Sequence, residues 1–278
     1  MLVGLSGYNK SLKKRLLQSF LRNSGLKYKI TDPKIDVDEL SKPRYKRLML
    51  EDAYPDLEPK SDNLYVVYGL HGNTHIVRKL FEQKINCILI DNGYLNSVYL
   101  NPEKIKYSVT LNNTRLNRIV CHDENSSALR YTQRKSGGTN IILCKPSEII
   151  ASVHGFSISD WLERAKENLH KLNKWFVVRE KTQKDKQPFK EVLKDAALVV
   201  TSQSLTGMEA IQSGVPVVCD DFSLSTPVGN PIHTEYSNLD EIQYPSESLF
   251  HKWINSLRMN EFDSGMKNAY KKVMELQS

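Results

Sequence analysis

Hydrophobic positions alternate between two spacings along most of the chain. Short apolar runs such as 63–68 have the composition of buried strands, whereas 10–23 carries its leucines at helical spacing. Strands and helices that alternate with short connections are typical of α/β layers built on parallel sheets. The pattern predicts strands at 1–6, 63–68, 86–91, 141–144, 175–179, 197–201 and 215–219, and helices at 10–23, 36–50, 74–84, 159–172, 189–194, 206–213 and twice within 248–276.

A polar, glycine-containing stretch at 132–140 separates two such series. We therefore predict two Rossmann-like domains that face a cleft, covering 1–135 and 136–278. The second also contains the C-terminal helices, which we expect to pack back on the N-terminal domain.

Composition narrows the function classes. The chain has 278 residues, 40% of them hydrophobic, which excludes disorder as its main description. Its apolar runs are far shorter than the roughly 20 residues of a membrane span, and its start lacks the order of a secretory signal, so we expect a cytoplasmic protein. The four cysteines form no C-x-x-C pair, and we expect neither a metal nor a disulfide framework. A monomer is the expected state.

The segment 198–221, LVVTSQSLTGMEAIQSGVPVVCDD, carries the most chemistry. Hydroxyl residues Thr201, Ser202 and Ser204 follow a strand, and a helix begins near Thr206 with Glu209 in its first turns. Free N–H groups at a helix start bind phosphate, and a carboxylate one turn later can accept both hydroxyls of a ribose. The alternative is that Ser204 or Thr206 caps the helix and Glu209 only complements its dipole.

This segment, S-x-x-x-x-E-A followed by S-G-V-P-V, resembles the donor-nucleotide motif of glycosyltransferases with the GT-B fold. The resemblance implies that the helix start contacts the diphosphate and that Glu209 contacts the ribose. A second matching piece is WFVVREK, where a strand delivers Arg179 and Lys181 on one side of its carboxyl end. In the family such cations neutralise the leaving diphosphate in place of a metal. The alternative is a solvated strand end.

Two candidate bases follow neighbouring strands of the amino-terminal half. His71 and Asp91 each come just after a predicted strand, so both would line one crevice. An inverting transfer needs a base to take the proton from the acceptor hydroxyl, and we place Asp91 first and His71 second. The alternatives are an Asx turn at Asp91 and a structural role for His71.

Together, the pieces YG at Tyr68, DNGY at Asp91, YSVTLN, VVREK and TSQSLTGMEA resemble phage-encoded GT-B glycosyltransferases of the DNA-hypermodification type. The resemblance implies transfer from a nucleotide sugar, expected to be a UDP-sugar, to 5-hydroxymethylpyrimidine in phage DNA, with no required cofactor. The chain departs from the family at Asn92 and at 113–116, where acceptor recognition is expected to differ.

A DNA acceptor would require a basic surface, and the net charge of +7 fits a polyanionic partner without proving one. The solvated face of a helix is the alternative explanation for each basic cluster. Two other functions remain open, a transferase or nucleotide-sugar epimerase without a DNA substrate and a noncatalytic DNA- or nucleotide-binding protein. The candidate DNA-binding residues are Arg44, Arg47, Arg115 and Arg118.

Overall fold

The computed structural model forms two compact units, which are described separately. The first comprises Met1–Arg115, Ser152–Gly155 and Asn260–Ser278, and the second comprises Leu116–Ala151 and Phe156–Met259. The structure describes residues 1–7, 11–33, 53–70, 72–95, 106–112, 118–121, 129–180 and 187–276. The helix predicted at 36–50 lies outside these ranges.

The first unit is built on a six-stranded sheet in the order β11-β5-β4-β3-β1-β2. Four strands, β1 to β4, are parallel, whereas β5 runs antiparallel to β4 and β11 antiparallel to β5. The strands are β1 Leu2–Leu5, β2 Tyr28–Thr31, β3 Leu64–Tyr68, β4 Cys87–Asn92, β5 Tyr107–Leu111 and β11 Glu261–Phe262, and the helices are α1 Ser11–Asn23, α2 Thr74–Glu82 and α8 Ala269–Glu275.

Helices cover both faces of this sheet because successive strand residues point to opposite sides. On one face, Phe20 of α1 packs with Val66 of β3 and Val273 of α8 in a single apolar cluster. On the other face, Val77 of α2 packs with Val67 of β3. The C-terminal helix α8 therefore completes the core of the first unit.

The second unit holds a five-stranded, fully parallel sheet in the order β10-β9-β8-β6-β7. This is the 2-1-3-4-5 order of doubly wound folds, read from its other edge. The strands are β6 Asn140–Cys144, β7 Trp175–Arg179, β8 Ala196–Thr201, β9 Val217–Cys219 and β10 Asn230–Pro231, and the helices are α4 Ile158–Leu169, α5 Phe189–Val192, α6 Thr206–Gln212 and α7 Glu247–Met259. Helix α3, Glu148–His154, spans the division between the units.

The core of this unit is centred on Trp161 of α4, which packs with Ile141, Leu198 and Val218 from three adjacent strands. Ser157 begins α4 by accepting a hydrogen bond from the Asp160 N–H at 3.4 Å, which satisfies one of the free donors of the first turn. The apolar stripe of α4 then faces the sheet.

The predicted α/β fold with two Rossmann-like parts is confirmed, and most element bounds agree within two residues. The sequence did not predict strands β2, β5, β10 and β11 or helix α3, and β5 and β11 add antiparallel pairs to the otherwise parallel first sheet. The two units have other bounds than the predicted domains, which were divided after residue 135. Residues 116–135 fall in the second unit, and 260–278 fall in the first because β11 pairs with β5 and α8 packs against α1.

Within the described residues, no helix has both the length and the apolar character needed to cross a bilayer. All four cysteines are free, and three of them are buried. Burial raises the pKa of the Cys87 and Cys219 thiols to about 12, which keeps them un-ionised.

Candidate functional site

Four strand ends of the second unit line up at the carboxyl edge of its sheet. Cys144 of β6 is in register with Thr201 of β8 and with Arg179 of β7, and Thr201 is in register with Cys219 of β9. In doubly wound sheets, ligands bind outside the carboxyl ends of the strands where the strand order reverses. In this sheet that point lies between β6 and β8, so the turn after Thr201 is at the expected position of a ligand site.

The turn between β8 and α6 is held by its own hydroxyl groups. The Thr201 and Thr206 side-chain oxygens are 3.3 Å apart, and the Ser204 hydroxyl accepts from the Thr206 N–H at 3.3 Å. The Ser204 carbonyl accepts from the Gly207 N–H at 3.2 Å. Ser204 thus stabilises the turn, whereas the N-cap residue of α6 is Leu205 and no side chain caps the helix. Ser202 is buried behind the turn.

Gly207 allows the start of α6 to lie against a neighbouring loop. A Cβ added at this position would be 2.4 Å from the Ser225 hydroxyl oxygen and 3.1 Å from the Thr201 methyl carbon. The first distance is shorter than a Cβ accepts and the second is tight, so a larger residue would require Ser225 and Thr201 to move. The close approach fixes where Thr206 and Glu209 lie relative to the strand ends.

Glu209 and Arg179 are the two predicted donor-site residues that interact electrostatically. Partial burial raises the pKa of the Glu209 carboxyl, and the positive charge of Arg179 opposes that rise. The Arg179 guanidinium donates to the Gln187 carbonyl at 3.1 Å and lies 5.1 Å from the centre of the Phe189 ring. These contacts orient Arg179, and its charge acts across the edge of the sheet on the carboxylate of Glu209, a residue that is exposed as a whole.

Lys145 is a candidate that the sequence did not indicate. It directly follows β6, the strand between β8 and β7, and its ammonium forms an ion pair with Glu180 at 2.7 Å. Its position beside Thr201 and Arg179 depends on strand order, which hydrophobic spacing does not encode. The only local signal is a lysine directly after the apolar run 141–144.

A buried carboxyl group follows the neighbouring strand β9. Asp220 accepts a hydrogen bond from the Trp161 indole N–H at 2.8 Å. Burial raises the pKa of Asp220, while the neighbouring Ser202 hydroxyl and the Trp161 indole N–H act in the opposite direction. The hydrogen bond from Trp161 ties the strand end to α4, so Asp220 is a structural member of the site.

Asp220 should make stability depend on pH. The pKa of Asp220 is raised in the folded state, so the folded protein keeps the proton to a higher pH than the unfolded chain does. The free energy of unfolding should therefore decrease as pH rises from the unfolded pKa through the folded one. We expect Asp220→Asn, which still accepts from Trp161, to remove this dependence and to be at least as stable at neutral pH. Asp220→Ala should lose about 1–3 kcal/mol by leaving the indole N–H unpaired. Urea unfolding between pH 4 and 8 measures the free energy of unfolding of both variants. Equal losses of stability in Asp220→Asn and Asp220→Ala would contradict the structural role of the hydrogen bond from Trp161.

In the first unit, Asp91 is the penultimate residue of β4 instead of following the strand. Its side chain is exposed, and one carboxylate oxygen accepts from the Asn92 N–H at 2.8 Å. Burial is the main cause that raises the pKa values of Tyr68 and Tyr94, and the charge of Asp91 is a smaller cause for both. A carboxylate thus lies beside two phenols at the carboxyl edge of this sheet.

The remaining predicted site residues give less information. Arg118 is exposed and belongs to the second unit, although it was predicted in the acceptor domain. Within the described ranges, no cluster of three or more His, Cys, Asp or Glu side chains is arranged to hold a metal. The predicted residues that lie outside the described ranges are His71, Lys181, Arg44, Arg47 and Arg115.

Comparison with known proteins identifies a similar fold but does not assign the chain to a family. No protein-family model matches the chain, and no curated protein does either. Among solved structures, the chain is similar to the β-Kdo 2,7-transferase of KpsC from Thermosulfurimonas dismutans, with 12% identity, a TM-score of 0.52 and coverage of 100% of this chain and 99% of that one. It also matches the β-Kdo 2,4-transferase of the same protein, with 12% identity, a TM-score of 0.41 and coverage of 92% and 90%. The first similarity supports the predicted GT-B-type fold.

Proposed function

We propose that this protein is a glycosyltransferase that binds a nucleotide sugar in its second unit. The observation that carries the proposal is that Arg179 is near enough to Glu209 to lower the pKa of its carboxyl group, beside the hydroxyl-lined turn after β8. A nucleotide sugar offers a diphosphate or phosphate to the cation and ribose hydroxyls to the carboxylate. The similarity in fold to a saccharide transferase supports the same class of reaction.

The proposed roles follow from the charges. Arg179 neutralises the phosphate oxygens as the bond between the anomeric carbon and the leaving oxygen breaks. Glu209 accepts hydrogen bonds from the ribose, and Thr206 and Ser204 bind through their hydroxyl groups or order the turn. In the first unit, Asp91 takes the proton of the acceptor hydroxyl as its oxygen attacks the anomeric carbon. A single displacement of this kind inverts the configuration.

The proposed acceptor remains 5-hydroxymethylpyrimidine in DNA, and the proposed donor remains a UDP-sugar. The sequence motifs and the net charge of +7 support this choice. The fold similarity favours a second candidate, transfer to a saccharide acceptor, because the similar solved structure is a transferase of the acidic sugar Kdo. The two candidates share the donor site and differ in what approaches Asp91.

Mass spectrometry separates the candidates. The protein is incubated with a mixture of UDP-sugars and with one of two kinds of acceptor. The first is DNA that contains 5-hydroxymethylcytosine or 5-hydroxymethyluracil, and the second is a set of saccharides. A hexose or pentose mass gain on a nucleoside supports the DNA acceptor, and a gain only on a saccharide supports the second candidate. If no donor releases its nucleotide while calorimetry still detects nucleotide binding, the noncatalytic alternative replaces the transferase.

Glu209→Ala should weaken nucleotide binding roughly 10- to 100-fold, since a hydrogen bond to a charged group contributes about 1.5–3 kcal/mol. Glu209 is exposed on α6, so the melting temperature should stay nearly unchanged. In the unmodified protein, affinity should fall as pH decreases through the raised pKa of Glu209, because the protonated group accepts less well. Titration calorimetry tests this, with Glu163→Ala on α4 as the matched control. Unfolding of the Glu209 variant would make Glu209 structural.

A further inference from the structure

Strand β7 presents the most exposed apolar side chains of the second unit. Trp175 is 79% exposed, and Val177 and Val178 are 40% and 42% exposed. The strand is the last in its sheet, and within the described residues no strand pairs with its outer edge. A flat apolar edge of this kind is a template for pairing with another chain.

Within the described residues, the charged side chains next to β7 do not protect this edge. Lys174, just before the strand, turns its ammonium inward to the Gly138 carbonyl at 3.0 Å. Glu180, just after it, is paired with Lys145. Native edge strands are usually blunted by charges that point outward, by proline or by bulges, and the five residues of β7 contain neither proline nor a register shift. Nothing in the described part of the chain therefore covers this edge.

The direction of the backbone groups selects the possible registers. The Trp175 N–H donates to the Thr139 carbonyl, and the Arg179 carbonyl accepts from Lys145, so residues 175 and 179 direct their backbone groups to the β6 side. Because backbone groups alternate along a strand, those of Phe176 and Val178 face outward. An antiparallel partner must therefore place its own outward-facing residues opposite these two.

We propose that β7 pairs antiparallel with β7 of a second copy of this chain, about a twofold axis at Val177. This register pairs all five residues and exchanges hydrogen bonds between Phe176 and Val178 of the other copy, twice. It also sets Trp175 of each copy opposite Arg179 of the other, on one face of the paired strands. The strand WFVVR is thus complementary to itself, in contrast to the monomer expected from the sequence.

The pairing is independent of the proposed transferase function, although it brings a tryptophan of the second copy beside Arg179. Self-association can therefore be measured without donor or acceptor. The chain also carries its own probe, because Trp161 and Trp253 are fully buried and Trp175 is the exposed one of its three tryptophans. Fluorescence quenching by acrylamide consequently reports on Trp175.

Sedimentation velocity and acrylamide quenching from about 1 to 200 µM, a range suited to a small interface, test the proposal. We expect a concentration-dependent dimer, with quenching that decreases as the dimer forms. Val177→Lys places two like charges opposite each other at the axis and should raise the dissociation constant about tenfold or more. Leu26→Lys, at an exposed apolar residue of the first unit, is the matched control and should leave the dimer intact.

Two variants at one position test the register. Trp175→Glu should retain the dimer through an ion pair with Arg179 of the other copy and should make it sensitive to salt, whereas Trp175→Lys should abolish it. Equal losses in the two variants would overturn the register. A monomer at every concentration, or a dimer that Val177→Lys leaves unchanged, would overturn the pairing itself.

Discussion

Asp91→Asn is expected to lower sugar transfer by about 10²- to 10⁴-fold, the usual contribution of a general base. The amide keeps the size of the carboxyl group but cannot take the proton from the acceptor hydroxyl. Nucleotide binding should be unchanged, because the proposed donor residues lie in the other unit. We therefore expect kcat to fall while the Kd for the nucleotide stays equal to that of the unmodified protein.

The surroundings of Asp91 explain why it is preferred as the base. It is exposed at the carboxyl end of β4, where a bound acceptor can reach it. Burial raises the pKa values of Tyr68 and Tyr94, and the charge of Asp91 adds a smaller effect in the same direction. Those phenols stay protonated at neutral pH, so each can donate a hydrogen bond. A carboxylate near such donors is suited to orient a hydroxyl group before it reacts.

The alternative is that Asp91 only shapes the chain, since it accepts from the Asn92 N–H. The amide oxygen introduced by Asp91→Asn could accept the same hydrogen bond, so a structural role predicts nearly normal transfer in this variant. Asp62→Asn provides the control, because Asp62 is exposed near the amino end of β3, at the opposite edge of the sheet. Transfer rates of the two variants within a factor of about two of each other would remove Asp91 from the mechanism.

Hydrophobic spacing predicted the elements of the second unit well because each is local. The segment from β8 to α6 was placed within one residue at each end, since an apolar strand, a hydroxyl-rich turn and an amphipathic helix each leave a separate signal. In the first unit, β5 was missed. All five of its residues are buried, including Ser108 and Thr110, so polar residues face a core and the usual alternation is hidden.

In the candidate site, too, the sequence indicated only the residues that a local pattern marks. The sequence indicated Arg179 and Glu209 as candidates, because Arg179 ends a strand and Glu209 lies in a helix, and each of these elements has a recognisable pattern. It did not identify Lys145, because that residue joins the site only if β6 lies between β8 and β7. Strand order depends on packing between distant segments, and a single sequence carries no direct record of it.

The stretch containing Gly138 was interpreted as a polar boundary between domains, yet the structure packs it closely under the start of β8. A Cβ at Gly138 would lie 2.3 Å from the Ala197 nitrogen and 2.4 Å from the Ala196 carbonyl carbon. The next two residues, Thr139 and Asn140, both donate their N–H groups to the Asp195 carbonyl. The backbone is thus held beside the contact and cannot move away without breaking those bonds.

Gly138→Ala should therefore destabilise the protein by about 3 kcal/mol or more, the upper range for overpacking, and lower the melting temperature by roughly 6–12 °C. Gly137→Ala is the matched comparison. Nothing lies within 4 Å of its added Cβ, but its φ of +87° is unfavourable for alanine, so we expect a loss of only about 1–2 kcal/mol. Calorimetric melting of both variants measures the difference. A larger loss at Gly137 would mean that backbone conformation, and not the contact with β8, determines the need for glycine here.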